Sequence, residues 1–132
     1  MTAVDTNVLV RFLVGDDGRQ AKKIYTIFKK AENENGQFFV PLLVVLELLW
    51  VLESVYETPR KEILNSINEL ILMPILKFES LPAIQQFMRA AQDSKLDLSD
   101  LLIAHSAKMQ GCEKVLTFDR KASKSALFSL IN

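Results

Sequence analysis

The sequence is poor in the residues that build disulfides and zinc sites. Its 132 residues include one cysteine, Cys112, and one histidine, His105. A single cysteine cannot form an intramolecular disulfide, and this scarcity fits a protein of the reducing cytoplasm. There is also no cluster of histidine and cysteine that would favour zinc. We expect Cys112, which follows the helix-ending Gly111, to be a small buried side chain.

The sequence also lacks an excess of charge of either sign. Lysine and arginine together number 16, aspartate and glutamate together number 16, and the formal net charge is zero. The overall charge therefore gives no indication of a nucleic-acid partner. Any binding site for nucleic acid must be a local patch of basic residues.

No apolar run is long enough to span a bilayer. The richest stretch, residues 38–52, is interrupted by Pro41 and Glu47. We find no signal-peptide pattern, no internal repeat and no linker rich in glycine, serine or proline. With 49% apolar residues, a chain of this length can form one core. We therefore predict a single cytoplasmic domain, residues 1–132, with no membrane association.

What the sequence does contain is an alternation of short apolar strands and amphipathic helices. The predicted strands are Thr2–Val4, Gln37–Val40, Pro74–Phe78 and Lys114–Phe118. The predicted helices are Thr6–Val14, Arg19–Glu34, Leu42–Val55, Thr58–Leu72, Leu81–Gln92 and Ser99–Met109. Residues 125–131 fit either a short helix or a strand. This alternation predicts an α/β fold, a three-layer α/β/α domain with a short, mainly parallel central sheet.

Four acidic residues fall where such a fold binds ligands, outside the carboxyl ends of its strands. Asp5 directly follows the first strand, and Asp119 follows the strand that ends at Phe118. Glu47 lies in the second turn of the helix after the second strand, and Asp100 in the first turn of the helix before the last predicted strand. All four can project toward one end of the sheet.

Clustered carboxylates indicate a bound cation. They repel one another, so a group of them stays ionised at neutral pH only if a cation holds it. Oxygen ligands favour Mg²⁺, with Mn²⁺ as a substitute. Such a cation can activate water for attack on a phosphodiester.

Each acid also has a structural explanation. Asp5 could cap the first helix. Asp100 lies in a first helical turn, where the helix dipole favours acids, and Asp119 could be a turn residue. Glu47 is the hardest to explain in this way, because an unpaired acid inside a run of Val and Leu is costly to bury. Spacing alone leaves both the metal site and these structural roles open.

Three separated segments resemble PIN domains, and among them the VapC toxins of type II toxin–antitoxin pairs. The segments are "AVDTNVLVRFL", "VPLLVVLELLWVL" and "LDLSDLLIAHSAKMQGCEKVLTFDRKA", in the family's order and spacing. The resemblance covers nearly the whole chain. It implies a metal-dependent endoribonuclease that leaves a 5′-phosphate and a 3′-hydroxyl, with transfer or ribosomal RNA as the class of substrate.

The resemblance also implies roles for single residues. The family's acids match Asp5, Glu47, Asp100 and Asp119. The first three would hold one Mg²⁺, and Asp119 would help with a second metal or orient the attacking water. The supporting positions are Thr6 and Asn7 after the first acid, Thr117 two residues before the last acid, and Asp97 upstream of Asp100.

Several basic residues could contact RNA phosphates. They are Arg11, Arg19, Lys22, Lys23, Arg120, Lys121 and Lys124. We favour Arg120 and Lys121, because they directly follow Asp119, and we retain Arg11 as a third candidate. A solvated helix face explains the lysines of the second helix equally well.

One helix indicates contact with other chains. The helix Leu42–Val55 is apolar on more than one face, which indicates either deep burial or an interface. Its Trp50 is therefore a core or an interface residue, and we interpret His105 as structural or as a partner contact. The resemblance implies a homodimer and a cognate VapB-type antitoxin that binds near the active site.

Three other classes of protein can be weighed against this one. A haloacid-dehalogenase-type phosphatase needs a second aspartate at the position of Asn7. A response-regulator receiver needs a phosphoacceptor aspartate after a central strand and a late lysine, and neither is evident. The remaining alternative is a catalytically inactive PIN-like scaffold that acts only through protein binding. The complete set of four acids argues against it.

Overall fold

A computed structural model describes all 132 residues. It contains six α-helices, α1 Thr6–Val14, α2 Gly18–Asn33, α3 Leu42–Ser54, α4 Arg60–Ile71, α5 Leu81–Asp93 and α6 Leu98–Met109. Its strands are β1 Thr2–Ala3, β2 Phe38–Val40, β3 Leu76–Phe78, β4 Val115–Thr117 and β5 Phe128–Leu130. A short 3₁₀ turn spans Ala122–Lys124. None of the helices combines the length and the apolarity that crossing a bilayer requires.

The chain forms two compact units, Met1–Glu79 and Ser80–Asn132. In the first unit three strands pair in the order β1-β2-β3, and in the second unit β4 pairs with β5. Every one of these pairings is parallel. The alternation of helices with parallel strands confirms the predicted α/β class. The tail that the sequence left ambiguous contains a strand, β5.

The first unit has a core of aliphatic side chains from its helices. Helix α3 buries one stripe at spacings of three and four residues, formed by Val45, Leu48, Leu49 and Leu52. The opposite side of α3 is open to solvent, with Leu43 77% and Trp50 57% exposed. Of the two alternatives for Trp50, the core is therefore excluded, and an interface role remains a prediction.

The second unit is built on the pair α5 and α6. Its buried side chains include Ile84, Phe87, Leu98, Leu101 and Leu102. His105 is also buried, and neither ring nitrogen has a hydrogen-bond partner. Burial lowers the pKa of His105, and the positive charge of Lys108 lowers it further. The imidazole is therefore held in its neutral form inside an apolar helix pair.

Helix α4 and strand β3 begin later in the structure than the sequence predicts, and backbone hydrogen bonds explain both differences. Helix α4 begins at Arg60 rather than at Thr58, because the N–H of Thr58 donates to the carbonyl of Leu52 at 2.9 Å. Strand β3 begins two residues late, because the N–H of Leu76 closes a turn onto the carbonyl of Met73 at 3.1 Å. These bonds shift the ends of elements whose existence the local pattern predicts.

The prediction that Cys112 is buried is wrong. Its side chain is exposed. The residue continues the turn that ends α6, where Gly111 adopts a positive φ of 91° and the N–H of Cys112 donates to the carbonyl of Ala107 at 3.1 Å. Because Cys112 follows the glycine that ends α6, its backbone is fixed by the turn, and its thiol lies outside the core.

Candidate active site

Asp5 lies between β1 and α1. Val4 is buried, and its N–H donates to the carbonyl of Phe39 in the neighbouring strand at 3.0 Å. Asp5 then leaves the sheet in an extended conformation and caps α1, with Oδ1 accepting the N–H of Val8 at 3.2 Å. The capping role that the sequence left open is therefore present. The residue is exposed, and Oδ2 has no hydrogen-bond partner in the chain.

The two residues after Asp5 differ in their surroundings. Thr6 is 5% exposed, whereas Asn7 is exposed. Both belong to the first turn of α1. Thr6 can support the position of this turn from inside, and Asn7 offers its amide to solvent beside Asp5.

Glu47 avoids the cost of burial by facing solvent. It is exposed in the second turn of α3, with the exposed Leu43 and Trp50 four residues before and three residues after it. This spacing places all three on one helical face. The apolar run that surrounds Glu47 in sequence is therefore split between a buried stripe and an exposed one.

Glu79 is a positioning residue that the sequence reasoning missed. It directly follows β3, and its N–H donates to the carbonyl of Val40 at 2.9 Å. Its Oε1 accepts the N–H of Leu42, the first residue of α3, at 2.9 Å. Pro41 provides no side-chain cap for α3, so Glu79 takes that role. An acid immediately after the third predicted strand was the signal that could have revealed it.

At the start of α6, two acids have different roles. Asp97 is the N-cap, and its Oδ1 accepts the N–H of Asp100 at 3.1 Å. The carboxylate of Asp100 itself makes no hydrogen bond within the chain and is half-buried. Asp97 therefore fixes the backbone of Asp100, whose carboxylate remains available for a ligand.

Asp119 is oriented by its own turn after β4. Its N–H donates to Oγ1 of Thr117 at 3.0 Å. Its Oδ1 accepts the N–H groups of Lys121 at 2.8 Å and of Ala122 at 3.3 Å. These bonds fix the carboxylate and leave Oδ2 without a partner in the chain.

The electrostatics of the second unit identify Asp100 as the perturbed acid. Partial burial raises the pKa of Asp100, and the negative charges of Asp97 and Asp119 raise it further. Asp97 and Asp119 are thus each close enough to Asp100 to repel its charge. A cation placed among them would relieve this repulsion.

The predicted RNA contacts differ in their availability. The Arg11 guanidinium is engaged within the first unit, with Gln20 at 2.8 Å, with the Tyr56 hydroxyl at 3.2 Å and in an ion pair with Asp16 at 3.4 Å. Arg120 and Lys121 are exposed, and their side chains make no hydrogen bond or ion pair in the chain. The latter two are free to meet a phosphate, whereas Arg11 would first have to leave its partners.

The acids do not form a closed set of metal ligands. No group of three or more aspartate, glutamate, histidine or cysteine side chains is arranged so that it could hold a metal ion. Their donor chemistry nevertheless suits Mg²⁺ or Mn²⁺, because all the donors are carboxylate oxygens. The acids around Asp100 therefore match a divalent cation in their charge and in their oxygen donors.

The structure thus combines a parallel α/β fold with acids that follow β1 and β4 and that lie at the start of α6. This combination is the basis for comparison with known protein families. The sequence profile of the PIN domain matches residues 2–126, and the chain belongs to this family. It is 27% identical over 124 residues to a VapC ribonuclease of Aquifex aeolicus (strain VF5). That match covers 94% of this chain and 91% of the relative.

Proposed function

We propose that this protein is the toxin of a type II toxin–antitoxin pair and cleaves RNA as a metal-dependent endoribonuclease. The observation that carries the proposal is the state of Asp100, whose pKa is raised by burial and by two neighbouring acids in a chain of the PIN family. Perturbed pKa values cluster at functional sites, and a cation bound beside Asp100 would relieve this repulsion. The VapC ribonuclease similar to this chain supports RNA as the substrate.

The cofactor we propose is Mg²⁺, with Mn²⁺ as a substitute. Asp100, Asp119, Asp5 and Glu47 are the proposed ligands, as direct donors or through water. When such a cation is bound, the chemistry it supplies is activation of water and stabilisation of the leaving oxygen. Hydrolysis would then leave a 5′-phosphate and a 3′-hydroxyl.

The remaining roles fall to groups of this chain that position atoms. Asp97 holds the backbone of Asp100 through its 3.1 Å bond, and Thr117 holds that of Asp119. Because Oδ1 of Asp119 is occupied by backbone N–H groups, Oδ2 is the oxygen we assign to orienting the attacking water. Arg120 and Lys121 are the proposed contacts to RNA phosphates.

The proposed partners are a second copy of the chain and a VapB-type antitoxin. The exposed Leu43 and Trp50 on α3 support an interface, because large apolar side chains on one helical face are typical of binding surfaces. Glu47 lies between them, so a partner that covers this face would also cover a proposed catalytic acid. We propose that the pair works in the cytoplasm, where its RNA substrate is found.

The test is cleavage of total transfer and ribosomal RNA by protein purified free of antitoxin. We expect cleavage with Mg²⁺ or Mn²⁺, none in EDTA, and 5′-phosphate ends on the products. Expression alone should arrest bacterial growth, and Asp5→Asn or Glu47→Gln should relieve the arrest. Persistent cleavage in EDTA would overturn the mechanism, and full toxicity of either variant at equal abundance would remove that acid from the site.

A catalytically inactive scaffold is the second candidate function. The absence of a preformed group of three acidic ligands favours it. A Mn²⁺ titration followed by electron paramagnetic resonance distinguishes the nuclease from the scaffold. If the protein is only a scaffold, the wild type and Asp100→Asn should bind Mn²⁺ equally weakly. Metal binding that disappears in Asp100→Asn would exclude the scaffold.

A further inference from the structure

A cleft rich in lysine lies in the second unit beside the segments that carry its acids. It measures about 500 Å³. Three lysines line it together with two serines: Lys95, Lys121, Lys124, Ser94 and Ser125. We call this feature the lysine cleft. Its volume falls within the range of about 300–1,000 Å³ that is typical of ligand sites.

The lysine cleft and the acids share the same two stretches of chain. Lys95 precedes the N-cap Asp97 by two residues, and Lys121 follows Asp119 by two residues. The second link is direct, since the N–H of Lys121 donates to Oδ1 of Asp119 at 2.8 Å. A ligand that fills the cleft would therefore contact Lys121, whose backbone N–H holds the Asp119 carboxylate.

The charge of the lysine cleft is not balanced by the protein. Asp93 is the only acid that lines it, against three lysines. The ion pair between Arg11 and Asp16 belongs to the other unit, and no lysine of the cleft forms one. Like charges on neighbouring segments are unfavourable unless an anion lies between them. The cleft is thus complementary to an anionic ligand.

Hydroxyl groups at the cleft suit a phosphate. Oγ of Ser125 accepts the N–H of Leu127 at 3.2 Å, and its own O–H remains able to donate to a ligand oxygen. Ammonium and hydroxyl donors together are the usual partners of backbone phosphates in nucleic-acid complexes. The open, exposed lysines suit a flexible polyanion better than a small enclosed ion.

We infer that the lysine cleft holds a backbone phosphate of the RNA next to the bond that is cut. This inference rests on the proposed function. It adds Lys95 as a substrate-binding residue and selects Lys124 from the basic residues that the sequence offered as RNA contacts. The acids attract a cation and repel phosphate, so the lysines would supply the attraction that draws the flanking strand into place. The cleft would then act on binding rather than on the chemical step.

The first experiment measures RNA binding without cleavage. Lys95→Gln and Lys124→Gln, singly and combined, are made in an Asp100→Asn background, and binding of a fluorescein-labelled single-stranded RNA is followed by anisotropy across salt concentrations. Removal of one lysine–phosphate pair should reduce the salt slope by about 0.7, which corresponds to about fivefold weaker binding at 0.1 M salt. Lys114→Gln is the matched control, because Lys114 is an exposed lysine of the same unit outside the cleft.

The second experiment measures cleavage by the same lysine variants with Asp100 intact. We expect KM to rise about fivefold per lysine while kcat is kept, with Lys114→Gln unchanged. If the wild type cleaves RNA and the cleft variants bind and cleave like the control, the lysine cleft is refuted and the nuclease stands. If the wild type cleaves nothing but the cleft variants lose RNA binding, the nuclease is refuted, and the lysine cleft stands only as an RNA-binding site. If no variant differs from the wild type in RNA binding, the cleft is refuted in either case.

Discussion

Both units carry acids that follow a strand or lie near the start of a helix, but the surroundings of these acids differ between the units. In the first unit, Asp5 caps a helix and Glu47 faces solvent from the exposed side of α3. In the second unit, Asp97 and Asp119 each raise the pKa of the half-buried Asp100, and lysines lie on the same segments of chain. Capping and exposure thus account for the surroundings of Asp5 and Glu47 in the structure, and their role as metal ligands stays a proposal. The second unit instead has an acid whose pKa is raised by burial and by neighbouring acids, and perturbed pKa values cluster at functional sites.

The largest expected effect separates the two acids at the start of α6. Asp100→Asn should lower RNA-cleaving activity by more than about 100-fold, because loss of a ligand exceeds the 10–100-fold effect of residues that only support ligands. Asp97→Asn should cost about tenfold, since asparagine still caps the helix. Initial rates with Mn²⁺ measure both. Equal losses would show that the two acids share one role.

The second effect contrasts the units through stability. In EDTA, Asp100→Asn should melt at or above the wild-type temperature, because it removes the repulsion with Asp97 and Asp119. In the same EDTA buffer, Glu47→Gln, which neutralises an exposed acid of the first unit, should change the free energy of unfolding by less than about 0.5 kcal/mol. Added Mg²⁺ or Mn²⁺ should stabilise the wild type by about 1–3 kcal/mol and the Asp100 variant by less. Thermal melts with and without metal decide the matter, and equal metal shifts would contradict a cation site at Asp100.

The same melts should depend on pH in a defined direction. The folded pKa of Asp100 is raised, so the folded state binds its proton more readily than the unfolded state. The destabilisation is therefore present at neutral pH and is relieved as the pH falls through the folded pKa. The difference in melting temperature between the wild type and Asp100→Asn should therefore become smaller as the pH is lowered.

The third effect concerns His105 and the core of the second unit. Its folded pKa is lowered, so below the usual histidine value of about 6.5 the unfolded state binds more protons than the folded state. Stability should fall as the pH drops below that value. His105→Leu should stabilise the protein by about 1–2 kcal/mol, because an unpaired polar group leaves the core. His105→Gln should abolish the pH dependence without that gain, and an unchanged dependence in either variant would exclude His105 as its source.

The smallest effect tests the cap of α3 in the first unit. Glu79→Ala should lower the free energy of unfolding by about 0.5–1 kcal/mol, because the N–H of Leu42 loses its acceptor. Glu79→Gln keeps an acceptor oxygen and should lose less. Urea unfolding of the two variants gives the comparison. If both variants matched the wild type, Glu79 would have no part in holding α3.

Features of the fold that depend on residues close together in the sequence could be predicted from the sequence. Asp5 follows a strand and caps a helix, and α1 spans Thr6–Val14 as expected, because Gly15 supplies the positive φ of 67° that ends it. The position of Asp119 after β4 and the support from Thr117 also follow from short-range order.

What the sequence could not predict depends on contacts between distant residues. Glu79 caps a helix 37 residues earlier in the chain, and nothing near either residue shows that they meet. The exposure of Glu47 was also missed, because the Val and Leu around it divide between two helical faces only once α3 has a side to bury. The contacts of Arg11 with Asp16 and Tyr56 were also missed, and its role as an RNA contact stays a prediction.

The bond between Arg11 and Tyr56 has a consequence for folding kinetics. It joins side chains 45 residues apart in sequence, so it forms only after α1 has met the chain that follows α3. Closing such a loop costs entropy before the bond is made, which places the bond late in folding. Tyr56→Phe should therefore speed unfolding and leave the folding rate nearly unchanged. The contact between Arg11 and Tyr56 would thus lengthen the time for which the first unit stays folded.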